Sequence, residues 1–150
     1  MSNSREIIES LLHQQTAVTF QVHGPSMNPT IRDGDRLRVR PLNPEPPPRG
    51  SIVLYRYGGR LVVHRLLARE KQTGRCLLAA DAALEGDAWI PAGDILGLAE
   101  SVCHGKKSRR LDNTAARLAG LLRHALRPVR RAFYNCRQMS HAHAPERGRE

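Results

Sequence analysis

Aromatic side chains are scarce in this chain. Trp, Tyr and Phe together make up 4% of its 150 residues. Hydrophobic residues still reach 40%, so a core is feasible, but it must be aliphatic. Cysteine is also sparse. Cys76, Cys103 and Cys136 are odd in number and widely spaced, which excludes a disulfide framework and points to a reducing compartment. Cys136, His141 and His143 lack the Cys-x-x-Cys pairing of zinc sites, so no metal is expected there. Long apolar runs are missing too. No stretch approaches the ~20 apolar residues of a transmembrane helix. Glu6 and Glu9 interrupt the only apolar run near the start, which argues against a secretory leader. The expected location is cytoplasmic, with peripheral membrane contact open.

Acidic residues run out toward the C-terminus. Residues 1–104 carry 12 Lys+Arg against 11 Asp+Glu, whereas residues 105–150 carry 12 against 3. The net charge of +10 therefore belongs almost wholly to the tail. Such asymmetry suits an anionic partner, with membrane surface favoured over nucleic acid. The length suits one domain, read as a β domain over 1–104 followed by a basic helical tail over 105–150.

What is present falls into short alternating segments. Asn3 to Gln15 reads as a helix, with Ser4 as N-cap and Ile7, Ile8, Leu11 and Leu12 as one stripe. Ala17–Val22, Arg36–Arg40, Ser51–Arg56, Leu61–Ala68, Arg75–Ala80 and Ile95–Val102 read as strands. Gly58-Gly59 marks a hairpin. Leu61 and Val63 then share one face, and Val62, His64 and Leu66 the other. Five prolines between Pro41 and Pro48 make a stiff spacer loop. The expected fold is mainly β: antiparallel curled sheets forming a partial barrel, with a short N-terminal helix. From Leu111 to Phe133 apolar residues recur at intervals of three and four, as in a basic amphipathic helix. Pro128 should kink or break it, and Gln138–Glu150 should be disordered. The apolar side of this helix has two outlets: a lipid interface, or packing on the β domain with its arginines merely solvated.

The chemistry concentrates between Val22 and Arg40. Gly24 and Pro25 break the backbone before Ser26, Pro29 restricts Asn28, and Asp33-Gly34-Asp35 forms a turn. Ser26 thus sits on a stiff loop between strands, with the exposure and fixed direction a nucleophile needs. His23 is near in sequence but would need a sharp turn to reach the hydroxyl.

Gly24-Pro25-Ser26-Met27-Asn28-Pro29-Thr30, followed by Gly34-Asp35, resembles the nucleophile box of the type I signal peptidase superfamily. Arg49-Gly50-Ser51-Ile52-Val53 is similar to that family's Gly-Asp-Ile-Val strand entry, with Ser51 in the Asp position. Val62-Val63-His64-Arg65-Leu66 resembles its general-base strand. Asp81 and Asp87 resemble its paired acids, and Gly93-Asp94-Ile95-Leu96-Gly97 its closing strand. His64 stands where most bacterial members have Lys, which resembles the endoplasmic-reticulum and archaeal-like subtype. The resemblance implies a serine endopeptidase with Ser26 as nucleophile, His64 as base, Asp87 orienting it and Asp81 bracing the loop. The implied substrate is a polypeptide with small residues before the cleavage point, and no cofactor is needed. Gly24 removes a hydroxyl that many members aim at the oxyanion, leaving backbone donors such as the Ser26 N–H. The rivals are a non-catalytic adaptor of the same fold and a self-cleaving repressor. The latter is weakened by the lack of a helix-turn-helix segment and by His64 in place of Lys.

Overall fold

The computed structural model describes residues 2–85 and 87–141, with side chains placed for 4–85 and 87–135. The order is α1 (Ser2–His13), β1 (Val18–Gln21), β2 (Arg36–Pro41), β3 (Ile52–Tyr57), β4 (Arg60–Arg69), β5 (Cys76–Ala79), β6 (Ala88–Ile90), a 3-10 turn (Ala92–Asp94), β7 (Ile95–His104), β8 (Lys107–Arg110), α2 (Thr114–Ala125) and α3 (Arg127–His141). All eight strands join one antiparallel, curled sheet. Its path is β1-β2-β7-β3-β4-β5-β6, and β8 lies off this path, paired with the C-terminal part of β7. The expected mainly β fold with flanking helices is what forms.

The curl divides the apolar residues into two clusters. One, around Met27, Ile31, Leu37, Leu54, Val63 and Leu111, also receives Ile8, Leu11 and Leu12 from α1. The other gathers Val53, Tyr55, Leu66, Leu78, Ile95 and Leu98, with Val62 at its edge. The alternation of β4 explains the division: Leu61 and Val63 enter the first, Val62 and Leu66 the second. The hairpin turn Gly58-Gly59 has both residues at positive φ, 53° and 73°, as a two-residue turn requires. Tyr57 therefore pairs with Arg60, and Val53 lies opposite His64. The proline loop folds back so that Leu42 packs on the second cluster.

Several local expectations are corrected. α1 starts at Ser2, so Ser4 lies within the helix and does not cap it. Ile7 is 52% exposed, because one position off the Ile8–Leu11–Leu12 row turns it outward. The three-residue β6 and the polar β8 are too short or too hydrophilic to show alternation. β8 continues the sheet past residue 104 through four pairs with β7. The C-terminal helix is two helices. The break falls at Leu126, and Pro128 becomes the second residue of α3, where its missing N–H costs nothing. Gln138–His141 continue α3; residues 142–150 lie outside the described residues, as do the side chains of Cys136 and His141.

Gly97 lies at the end of the β2–β7 pairing, opposite Pro41. A Cβ there would stand 2.6 Å from Val39 Cγ1 and 2.8 Å from the Arg40 carbonyl oxygen. The backbone oxygen cannot swing aside, so Gly97→Ala should destabilise by about 1–3 kcal/mol. Thermal unfolding should show a midpoint several degrees lower; an unchanged midpoint would mean the two strands part freely.

Candidate active site

Two buried anchors set the Ser26 loop. Met27 is 2% exposed and Ile31 fully buried, so the chain on the C-terminal side of Ser26 is fixed in the core. Ahead of it, the Gly24 N–H donates to Asp33 Oδ1 at 2.8 Å, and Gly24 takes φ 96°. Asn28 N donates to the Pro25 carbonyl at 3.0 Å. Ser26 itself is exposed. Its carbonyl accepts from Ala82 N at 2.9 Å, and Thr30 Oγ1 donates to Asp81 Oδ2 at 2.5 Å. The loop is thus stitched to the segment after β5.

Asp81 is the hub of that segment. It is fully buried and faces Arg65, itself 1% exposed. The guanidinium grips it in two parallel bonds, Nε to Oδ1 at 2.7 Å and Nη2 to Oδ2 at 2.6 Å. Arg65 Nη1 donates to the Gly50 carbonyl at 2.7 Å. From α2, His124 Nε2 lies 3.0 Å from Asp81 Oδ1. Burial alone would raise the Asp81 pKa. The bonds from Arg65, His124 and Thr30, with the Arg65 charge, hold it far below the carboxylate range instead. Through these bonds Asp81 links the Ser26 loop to β4 and to α2.

His64 follows Val63 on β4 and precedes Arg65, so it projects from the opposite face. It is half-buried. Its Nδ1 lies 2.9 Å from the hydroxyl of Tyr55, and the two rings are 5.6 Å apart at 51°. Burial lowers the His64 pKa, and the Asp81 charge raises it in part. Burial and the neighbouring Tyr57 push Tyr55 up to about 12, so its hydroxyl stays neutral.

The structure brings Ser26, Thr30, Arg65 and Asp81 into one connected assembly and sets His64 on the strand that Arg65 anchors. No hydrogen bond joins the Ser26 hydroxyl to His64. Asp87 is placed elsewhere: it pairs with Arg127 Nη1 at 2.6 Å and makes no bond to His64. His23 is 79% exposed at its side chain and lies 4.0 Å from Asp33, a surface position as expected. Ser51 is buried, and its hydroxyl has no protein partner among the described residues. Cys76 and Cys103 are free thiols, and no group of metal-binding side chains occurs among the described residues. Tyr55 and His124 were missed. Tyr55 was within reach of sequence reasoning, because the two-residue turn fixes the register that sets it diagonal to His64.

A curled antiparallel sheet with an exposed serine on a braced loop, and a histidine on a strand tied to the same acid, defines a serine peptidase-type fold. A family comparison agrees: residues 2–98 match the model described as Peptidase S24-like. The chain belongs to this family, within the superfamily that unites it with the signal peptidases. No curated protein matches the chain.

Asp81→Asn would leave the Arg65 charge buried beside a neutral amide. Breaking a buried pair from one side costs about 3–5 kcal/mol, measurable by urea unfolding at pH 7. Because the folded-state pKa is depressed, the stabilisation is complete above the unfolded value near 4 and fades as pH falls below it. The variant should lack that acid-dependent part. A loss confined to activity, with stability intact, would contradict the bracing role.

Proposed function

We propose that this chain is a serine endopeptidase in which Ser26 attacks the peptide carbonyl and His64 takes its proton. One observation carries the proposal: Asp81 ties the Ser26 loop and the His64–Arg65 strand together. Attack would form an acyl-enzyme at Ser26 Oγ, and His64 would return its proton to the leaving amine before water releases the acyl group. The Ser26 N–H makes no bond among the described residues and is the backbone donor we assign to the oxyanion. Following the resemblance, we assign the His-base, endoplasmic-reticulum and archaeal-like subtype and polypeptides with small residues before the cut. The family match lends the self-cleaving alternative some weight. Fragments appearing from the purified chain alone, absent in Ser26→Ala, would favour it over cleavage of other chains.

For the orienting role we assign Tyr55 in place of Asp87. Since Nδ1 faces Tyr55, the nitrogen left for proton transfer is Nε2. Nε2 is basic only in the tautomer whose Nδ1–H donates to the tyrosine oxygen. A neutral hydrogen bond of this kind is worth about 0.5–1.5 kcal/mol, or roughly 2- to 10-fold in rate.

Single-turnover cleavage of a peptide with small residues before the scissile bond tests the pair. Ser26→Ala and His64→Ala should each remove nearly all activity, and the double variant should be little worse, since the two act as a unit. Wild-type turnover in both variants would leave Ser26 a turn residue and favour the adaptor reading. Because burial lowers the His64 pKa, the base stays neutral further into acid, and the acid limb of the rate should fall below the ordinary 6.5.

Tyr55→Phe should slow the chemical step roughly 2- to 10-fold with KM little changed. It should also move that limb lower still, because the imidazolium loses an acceptor. A shift to higher pH would mean that Tyr55 donates to Nδ1, and would overturn the assignment. Asp87→Asn should leave the limb where it is.

A further inference from the structure

α2 and α3 are attached the wrong way round for helices that complete a core. Their polar side faces the protein. His124 reaches Asp81, Arg127 pairs with Asp87, Arg131 pairs with Glu85, and Arg130 Nη1 lies 3.5 Å from the Asp81 carbonyl oxygen. Gly120 permits the close approach, since a Cβ there would overlap the Arg65 guanidinium at 2.0 Å from Cζ. The apolar side is left in solvent. Leu118 and Leu122 are each 60% exposed, Leu126 45%, Val129 51% and Phe133 74%. Their spacing of four, four, three and four continues one stripe across the break at Leu126. The packing outcome for this stripe is therefore not the one adopted: Leu118, Leu122 and Val129 do not cover the β domain.

We propose that this outward stripe is a docking face for an acidic lipid surface, into which Leu118, Leu122, Leu126, Val129 and Phe133 insert. Charge selects the occupant. Residues 105–150 carry 12 basic and 3 acidic side chains, so a second copy laid against the stripe would meet a segment of the same sign, whereas anionic headgroups are complementary. Lys106 in the turn before β8, and Lys107 and Arg109 on β8, are exposed and add to the attraction. Nucleic acid is the poorer fit, because phosphates are met by polar and basic groups, and here the outward row is aliphatic with one phenyl ring. Arg127, Arg130 and Arg131 turn toward the protein, so apolar burial along the outward row, with headgroup attraction to the exposed basic residues beside the helices, holds the pair in the plane of the interface. No helix among the described residues is long and apolar enough to cross a membrane, and none is needed for this mode. The contact is independent of the peptidase reading, and its test does not use activity.

The full chain is mixed with vesicles of phosphatidylcholine alone, or of phosphatidylcholine with phosphatidylglycerol, and sedimented. Binding should require the acidic lipid and weaken as salt rises from 0.05 to about 0.5 M. Leu122→Glu with Phe133→Glu changes only exposed side chains, so circular dichroism should be unaltered. The variant should partition more than roughly tenfold less, since one buried Leu or Phe is worth at least that factor. Three results would overturn the proposal: no binding to acidic vesicles, binding that the double variant leaves intact, or a concentration-dependent dimer that this variant abolishes in a chain that ignores lipid. Should the double variant lose its helical signal, Leu118→Gln with Val129→Gln is the alternative probe, with the same outcomes.

Discussion

The Arg65–Asp81 ion pair is the constraint on which the rest of the molecule depends. Two opposite charges removed from water are costly unless every remaining donor and acceptor is matched. Here the matching partners come from distant parts of the chain. Thr30 belongs to the Ser26 loop, Gly50 to the entry of β3, and His124 to α2. Satisfying one carboxylate and one guanidinium therefore fixes the relative positions of five segments, of which the Ser26 loop, β3 and β4 also share the first apolar cluster. Apolar burial is non-directional and would tolerate sliding. A bidentate fork tolerates much less.

The same pair separates structure from chemistry on one strand. Arg65 faces the hub and His64 the other side of β4, so anchoring the first positions the second without touching it. The loop is handled in like manner. Met27 and Ile31 are sunk in the core and the Ser26 carbonyl is bonded, which leaves the hydroxyl and the N–H of Ser26 uncommitted. On the proposed reading, rigid supports would surround a site whose reacting atoms are free, as a preorganised site requires.

Much of this was legible in the sequence, and the gaps have physical causes. Alternation along β4 was enough to sort Leu61 and Val63 from Val62 and Leu66, because a sheet buried on both faces still keeps its period of two. The Ser26 loop was legible because Gly24, Pro25 and Pro29 punctuate it locally. Contacts between distant segments were not. Nothing near Asp87 announces Arg127, forty residues on, and nothing near Asp81 announces His124. β6 and β8 are held by their partner strands, and β8 shows no apolar pattern at all. The helix break was anticipated at Pro128 and falls two residues earlier, because proline fits the first turn of the next helix better than the last turn of the previous one. The stripe of α2 and α3 was visible as a period, but period alone does not say which side faces the protein. The ion pairs from Arg127 and Arg131 decide that.

The partner of His64 has a chemical consequence. In a Ser–His–Asp arrangement, the carboxylate both orients the imidazole and stabilises the imidazolium that forms during attack. A neutral phenol can do only the first. The carboxylate that influences His64, Asp81, is already committed to Arg65, His124 and Thr30, and its charge only partly offsets the effect of burial on the imidazole. On the proposed mechanism the imidazolium would then form with less electrostatic support and in a half-buried place. Such a base is available over a wide pH range but drives proton transfer weakly, because its lowered pKa lowers its basicity. The oxyanion side gives no compensation through Gly24, which has no hydroxyl to offer. On the proposed reading, such a site would trade rate for selectivity, favouring substrates whose own backbone supplies the binding energy that positions the carbonyl.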